Sequence, residues 1–200
     1  VMSFLLLTMM SIMLPRAGVA AERIQEVIGT RSSITDAEQL ADDEMGDIRG
    51  ELAFHNVSFA YPNAKDNVLD GLDFEAEPGK TTAIIGSTGC GKSTLLNLIP
   101  RLYDVTEGSI TLDGVDIRTI SQKKLRDAIG YVPQKAVLFS GDIRSNIKYA
   151  DETISDDRME EAAAIAQATE FVEEKEKKYD SHIAQGGSNV SGGQKQRTAV

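Results

Sequence analysis

The stretch Gly86-Ser87-Thr88-Gly89-Cys90-Gly91-Lys92-Ser93 constrains this chain more than any other. It fits the phosphate-binding loop pattern G-x-x-x-x-G-K-[ST]. Ahead of it, Thr81-Thr82-Ala83-Ile84-Ile85 is short, apolar and rich in β-branched residues, which predicts a buried strand. Behind it, Ser93-Thr94-Leu95-Leu96-Asn97-Leu98-Ile99 predicts the start of a helix. Strand, glycine loop and helix in that order suit a polyphosphate. Glycines let successive N–H groups turn inward, and no Cβ holds the anion off. The helix start adds unpaired N–H groups and a positive dipole end. Lys92 supplies a full charge toward the outer phosphates, and the Ser93 hydroxyl is a hard oxygen ligand for Mg²⁺. A plain glycine turn before an ordinary helix is the alternative, and the flanking elements weigh against it.

The chain has 200 residues, enough for one sizeable domain and an appendage. Its net charge of −10 disfavours non-specific nucleic-acid binding. Much of the excess lies in residues 151–180, with 11 acids against 4 bases, which reads as a solvated helical face. Cys90 is the only cysteine, so no intrachain disulfide can form, which fits a reducing compartment. His55 and His182 lie far apart with no cysteine or second histidine near either, which argues against a zinc site.

Taken in order, Met2 to Leu14 carry no charge and are mostly Leu, Met, Ile and Phe. Thirteen helical residues span about 20 Å against a bilayer core of about 30 Å. A signal-peptide core and a buried helix are both possible readings. The preferred one is the last part of a transmembrane helix that begins upstream of Val1. Pro15-Arg16 then predicts a break and a positive charge on the cytoplasmic side. Residues 1–28 are accordingly the end of that helix and its cytoplasmic extension. Residues 29–50 turn polar and acidic and read as a linker, and the globular domain occupies 51–200.

Leu52 to Tyr61 predicts a strand whose apolar positions change face midway, the mark of a bulge. Val68 to Glu77 predicts a second strand, Gly108 to Leu112 a third and Ile129 to Val132 another. Lys123 to Asp127 predicts a short helix. Asp156 to Ala168 predicts a longer one, with Met159, Ala162, Ala163 and Ala166 as its core stripe. These elements describe an α/β fold: a small antiparallel sheet beside an α/β core. No internal repeat is visible.

The second informative stretch is Val190-Ser191-Gly192-Gly193-Gln194-Lys195-Gln196-Arg197, a serine and two glycines opening a helix. Alone it is an ordinary loop signal. Paired with the phosphate loop about a hundred residues upstream, it resembles the signature motif of ATP-binding cassette (ABC) transporters, and the resemblance covers essentially the whole chain. It implies a P-loop NTPase core with a small antiparallel β-subdomain and an α-helical subdomain. Tyr61 matches the family's aromatic that stacks on adenine. Gln134, in Tyr131-Val132-Pro133-Gln134, matches the Q-loop glutamine that touches Mg²⁺ or water. Leu138 to Ile147 looks like the exporter form of the next segment. Met2 to Ile24 resembles the end of the last membrane helix of exporters with fused domains.

The resemblance implies that Gly86, Ser87, Thr88, Gly89, Cys90, Gly91, Lys92, Ser93 and Thr94 hold ATP, with Ser93 and Gln134 on Mg²⁺. Ser191, Gly192, Gly193 and Gln194 would face the ATP held by a second nucleotide-binding domain, in a homodimer or heterodimer. The expected partners are that domain, the chain's own transmembrane domain and the membrane, with no nucleic acid. The expected location is the cytoplasmic face of the cell membrane. Gln185 and Val190 depart from the commoner glutamate and leucine. The family's Walker B strand, catalytic glutamate, D-loop and switch histidine would follow Val200, so the chain reads as a fragment without hydrolytic activity alone. No carboxylate in 51–200 suggests a substitute, although Asp113, in a turn, comes nearest. A soluble non-transport ATPase of the same family and a binding-only domain of a heterodimeric exporter are the rival readings.

Overall fold

The computed structural model describes residues 2–199. They form two compact units, one running to Thr82 and resuming over Arg101–Gln122, the other comprising Ala83–Pro100 and Lys123 onward.

The first unit opens with α1, Met2–Gly29, a single helix without a buried residue. An 18-residue window of it has a mean hydropathy of 1.7, long and apolar enough to cross a membrane by length and composition. The break expected at Pro15 is absent, and the helix continues past it to Gly29. A proline removes one ladder bond, and strong helix formers on both sides carry the helix past it. Thr8 and Ser11 turn their hydroxyls back onto the carbonyls of Phe4 and Leu7, at 2.9 and 2.8 Å.

The acidic segment after α1 has neither helix nor strand, yet it is tied down. The Asp42 carboxylate accepts both the N–H and the hydroxyl of Ser121 at 2.8 Å. Asp36 accepts the N–H of Gln122 at 2.9 Å, and Ala41 N–H donates to the Thr119 carbonyl at 2.9 Å. Met45 is buried. A composition reading gives only a polar linker here, because the aspartates find their partners 79 and 86 residues further along the chain.

Four antiparallel strands follow, in the order β2-β1-β3-β4: β1 Leu52–Phe59, β2 Leu69–Ala76, β3 Glu107–Leu112 and β4 Val115–Asp116. The expected bulge is present. Register with β2 shifts between Phe54 and Val57, and Asn56 adopts a left-handed φ of 47°. The bulge swings Val57 and Phe59 inward, so that Phe54, Val57, Phe59, Ile110 and Leu112 are all buried. Gly108, on β3, has φ 78°, and a Cβ there would lie 2.3 Å from the Asn56 carbonyl oxygen. Only glycine lets β3 lie this close to the bulge.

The second unit holds α2 Lys92–Leu98, α3 Gln122–Asp127 from Lys123 onward, and a helical cluster. The cluster comprises α4 Ile143–Ile147, α5 Asp156–Ile165, α6 Thr169–Glu173 and α7 Gly192–Thr198. A two-residue ladder joins β5 Gly141–Asp142 to β6 His182–Ile183. Asp142 caps α4 by accepting the Ser145 N–H at 2.7 Å, and that bond, with the Ser145 hydroxyl, holds its carboxyl below the usual range. Met159 and Ala163 of the expected stripe are fully buried, with Phe171, Val172, Leu138 and Ile143. The helix ends at Ile165, three residues early, because Gln167 takes a left-handed φ of 56°.

Two expected strands are not formed. Thr81–Ile85 and Ile129–Val132 run as irregular chain. A strand exists through its neighbour's ladder bonds, and neither segment has a paired strand among the described residues. Their apolar side chains are open accordingly: Ile85 is 91% exposed and Val132 48%.

Candidate phosphate-binding site

The loop 86–91 is shaped by its glycines. Gly89 and Gly91 have φ of 85° and 91°, the left-handed region, and Gly91 caps α2. A Cβ on Gly86 would fall 2.5 Å from Cys90 Sγ, so a side chain at residue 86 would have to push the Cys90 thiol aside. Space around Gly89 is open: a Cβ there would meet nothing within 4 Å. Residues 86–90 and Ser93 are exposed, while Thr94, Leu95 and Leu98 anchor α2 underneath.

Lys92 folds over the loop. Its ammonium donates to the Gly86 and Ser87 carbonyls at 2.9 and 2.7 Å and lies 3.5 Å from Cys90 Sγ. The charge therefore sits at the mouth of the glycine loop, held by two backbone carbonyls and the Cys90 sulfur, with no carboxylate among its hydrogen-bond partners in the described residues. An anion entering the loop can exchange those bonds for stronger charge-assisted ones.

Ser93 and Gln134 are brought together across 41 residues: the Ser93 hydroxyl donates to Gln134 Oε1 at 3.4 Å. Two neutral oxygens beside a phosphate cradle suit Mg²⁺, which takes few protein ligands and completes its shell with phosphate oxygens and water. One turn further along α2, the Tyr131 hydroxyl donates to Asn97 Oδ1 at 2.7 Å. Sequence reasoning passed over both residues. The only signal available was spacing: Ser93 and Asn97 are i and i+4 on one helix, and Tyr131 stands three residues before Gln134.

The Ser191 stretch opens α7 as expected. Ser191 Oγ accepts the Gln194 N–H at 3.2 Å, and Gln194 Oε1 accepts the Ser191 N–H at 2.9 Å. This reciprocal capping box fixes the turn and leaves Gly192 and Gly193 open, with nothing within 4 Å of a Cβ on either. Lys195 steadies the preceding turn by donating to the Gly186 carbonyl at 2.8 Å.

Tyr61 belongs to the first unit. Its ring packs edge-on against Phe59 and Tyr103, with centroids 5.0 and 5.2 Å away. Asp113, the carboxylate nearest to a catalytic placement by sequence, is committed elsewhere: it accepts the N–H groups of Arg49, Gly50 and Glu51 at 2.8, 3.3 and 2.8 Å.

This combination of glycine loop, lysine, oxygen pair and Ser-Gly-Gly helix start defines a nucleotide-binding P-loop domain. The chain belongs to the ABC transporter family, whose model matches residues 69–200. An uncharacterized ABC transporter ATP-binding protein of Mycobacterium tuberculosis is 43% identical over 202 residues, spanning 100% of this chain and 34% of that protein. The beta-(1→2)glucan export ATP-binding/permease protein of Brucella suis is 40% identical over 157 residues, 78% of this chain and 26% of that protein. Among solved structures, a bacterial Atm1-family ABC exporter with ATP bound matches with a TM-score of 0.84 and 34% identity, over 92% of this chain and 32% of the other. The chain thus spans about a third or less of these relatives. Its fold is that of an ABC exporter nucleotide-binding domain.

Proposed function

We propose that this chain is the ATP-binding part of a membrane exporter that couples ATP binding and hydrolysis to substrate movement. The observation that supports this most is the phosphate loop with Lys92 across its mouth and Ser93 paired to Gln134, in a chain that also carries the apolar helix α1. The backbone of 86–91 and Lys92 bind the β- and γ-phosphates, with Thr94 beside them. Ser93 and Gln134 hold Mg²⁺, which when bound draws charge from the phosphates. Tyr61 stacks on the adenine. Ser191, Gly192, Gly193 and Gln194 face the nucleotide of a second domain, so two ATP molecules lie between two domains.

In this reading residues 1–28 are the membrane exit and its extension, 29–50 the connection and 51–200 the nucleotide-binding domain, on the cytoplasmic face of the cell membrane. The exporter relatives support it by what they join: export and permease functions with an ATP-binding domain in one protein. The test is ATP turnover and membrane fractionation of the full protein. Membrane-bound ATPase activity abolished by Lys92→Ala supports the reading. A protein washed from membranes by alkaline carbonate, or turnover unaffected by Lys92→Ala, overturns it.

A further inference from the structure

The segment carrying Gln134 is irregular and exposed, with Gln134 itself open to solvent. Nothing in its own backbone pattern would hold a glutamine side chain against Ser93. Two side-chain bonds to α2 do so: Gln134 to Ser93, and Tyr131 to Asn97 one helical turn away. They are unequal. The Tyr131 hydroxyl lies 2.7 Å from Asn97 Oδ1, an ideal distance, whereas Ser93 and Gln134 are at 3.4 Å, the long limit of a hydrogen bond. The short bond is the anchor, and the long one is the contact that it permits. A relaxed 3.4 Å pair is also the one that a cation can enter by taking both oxygens.

We infer that Tyr131, through its hydroxyl bond to Asn97, is the positioning residue that sets Gln134 beside Ser93 and so tunes the affinity of the site for a divalent cation. The inference rests on the reading of Ser93 and Gln134 as metal-holding residues. It assigns no contact with nucleotide to Tyr131 or Asn97. Without the anchor, residues 131–134 have more conformations to lose when the metal binds. The penalty falls on metal binding and spares the metal-independent contacts of Lys92 and the loop.

The experiment measures fluorescent ATP-analogue binding to the full protein in detergent, once in EDTA and once across a Mg²⁺ titration. Ser93→Ala and Gln134→Ala come first. Both should raise the Mg²⁺ midpoint by a larger factor than any change they make to the affinity in EDTA. If neither moves it, the metal-holding reading itself fails, and the inference falls with it. Once they move it, Tyr131→Phe, which keeps the ring and removes only the hydroxyl, should raise the midpoint about 2- to 10-fold, the worth of one hydrogen bond. Asn97→Ala should do the same, whereas Asn97→Asp, which keeps an acceptor oxygen, should restore it. On a Gln134→Ala background, Tyr131→Phe should add nothing. An unchanged midpoint in Tyr131→Phe, an equal loss in EDTA, or a full additional effect in the double variant would each overturn the inference.

Discussion

Asp113 and Glu51 are joined twice: the Asp113 N–H donates to the Glu51 carbonyl at 2.7 Å, and the Glu51 N–H donates to the Asp113 carboxylate at 2.8 Å. With Arg49 and Gly50 as further donors, this one carboxylate fixes the point where the acidic segment enters β1. Burial pushes the Asp113 carboxyl up, but the three N–H groups and the Arg49 charge outweigh it and hold it below 3.8. A depressed folded pKa contributes stability above the unfolded value and loses it as pH falls through the folded value. The destabilisation caused by Asp113→Asn should therefore be fully expressed above about pH 5 and shrink below about pH 4. Urea midpoints of parent and variant at pH 7 and pH 3.5 check this. A gap that does not narrow in acid would show that the carboxylate charge is not what holds the segment.

At the phosphate loop, Lys92→Ala should weaken nucleotide binding at least about tenfold, since a charge-assisted contact is worth about 1.5–3 kcal/mol. The ammonium now spans the Gly86 and Ser87 carbonyls, so its removal also frees the loop. Calorimetric titration with ATP is the measurement, and equal affinity in parent and variant would contradict the role.

Tyr61→Ala should weaken ATP and ADP binding to the same degree, by about 1–3 kcal/mol if the ring stacks on the base. Tyr61→Phe should be tolerated for nucleotide binding, because it keeps the ring that would stack on the base. Inorganic triphosphate discriminates between the roles: its affinity should not change, and an equal loss would place Tyr61 in structural support instead of base stacking.

Cys90 is exposed and lies beside the Lys92 ammonium, inside the loop. Maleimide on this thiol should block nucleotide binding by bulk, and saturating Mg-ATP should protect it. The labelling rate with and without nucleotide gives the answer, and identical rates would place Cys90 outside the bound ligand's footprint.

Gly108→Ala should destabilise the sheet by about 3 kcal/mol or more. The new Cβ would press on the His55 and Asn56 carbonyl oxygens at 2.4 and 2.3 Å, in a backbone conformation that side chains rarely adopt. A urea midpoint within error of the parent would mean that the bulge relaxes freely.

The sequence by itself determined what depends on local chemistry. The glycine loop, its lysine and serine, the Ser191 cap and the bulge in β1 were all legible, because each is a matter of residue type at fixed short spacing. Apolar periodicity likewise placed β1, β2, β3 and most of α5. Only the tertiary structure decided what depends on partners far along the chain. Thr81–Ile85 and Ile129–Val132 have strand composition but no strand beside them among the described residues, and a strand cannot exist alone. Asp36 and Asp42 look like linker acids until Gln122 and Ser121 arrive as donors. Asp113, open to a catalytic reading by its place after β3, is taken up by three backbone N–H groups from 62 to 64 residues upstream. The Tyr131–Asn97 bond crosses 34 residues. Short-range rules carry no information at such separations, because the partner is chosen by the fold and not by the neighbouring residues.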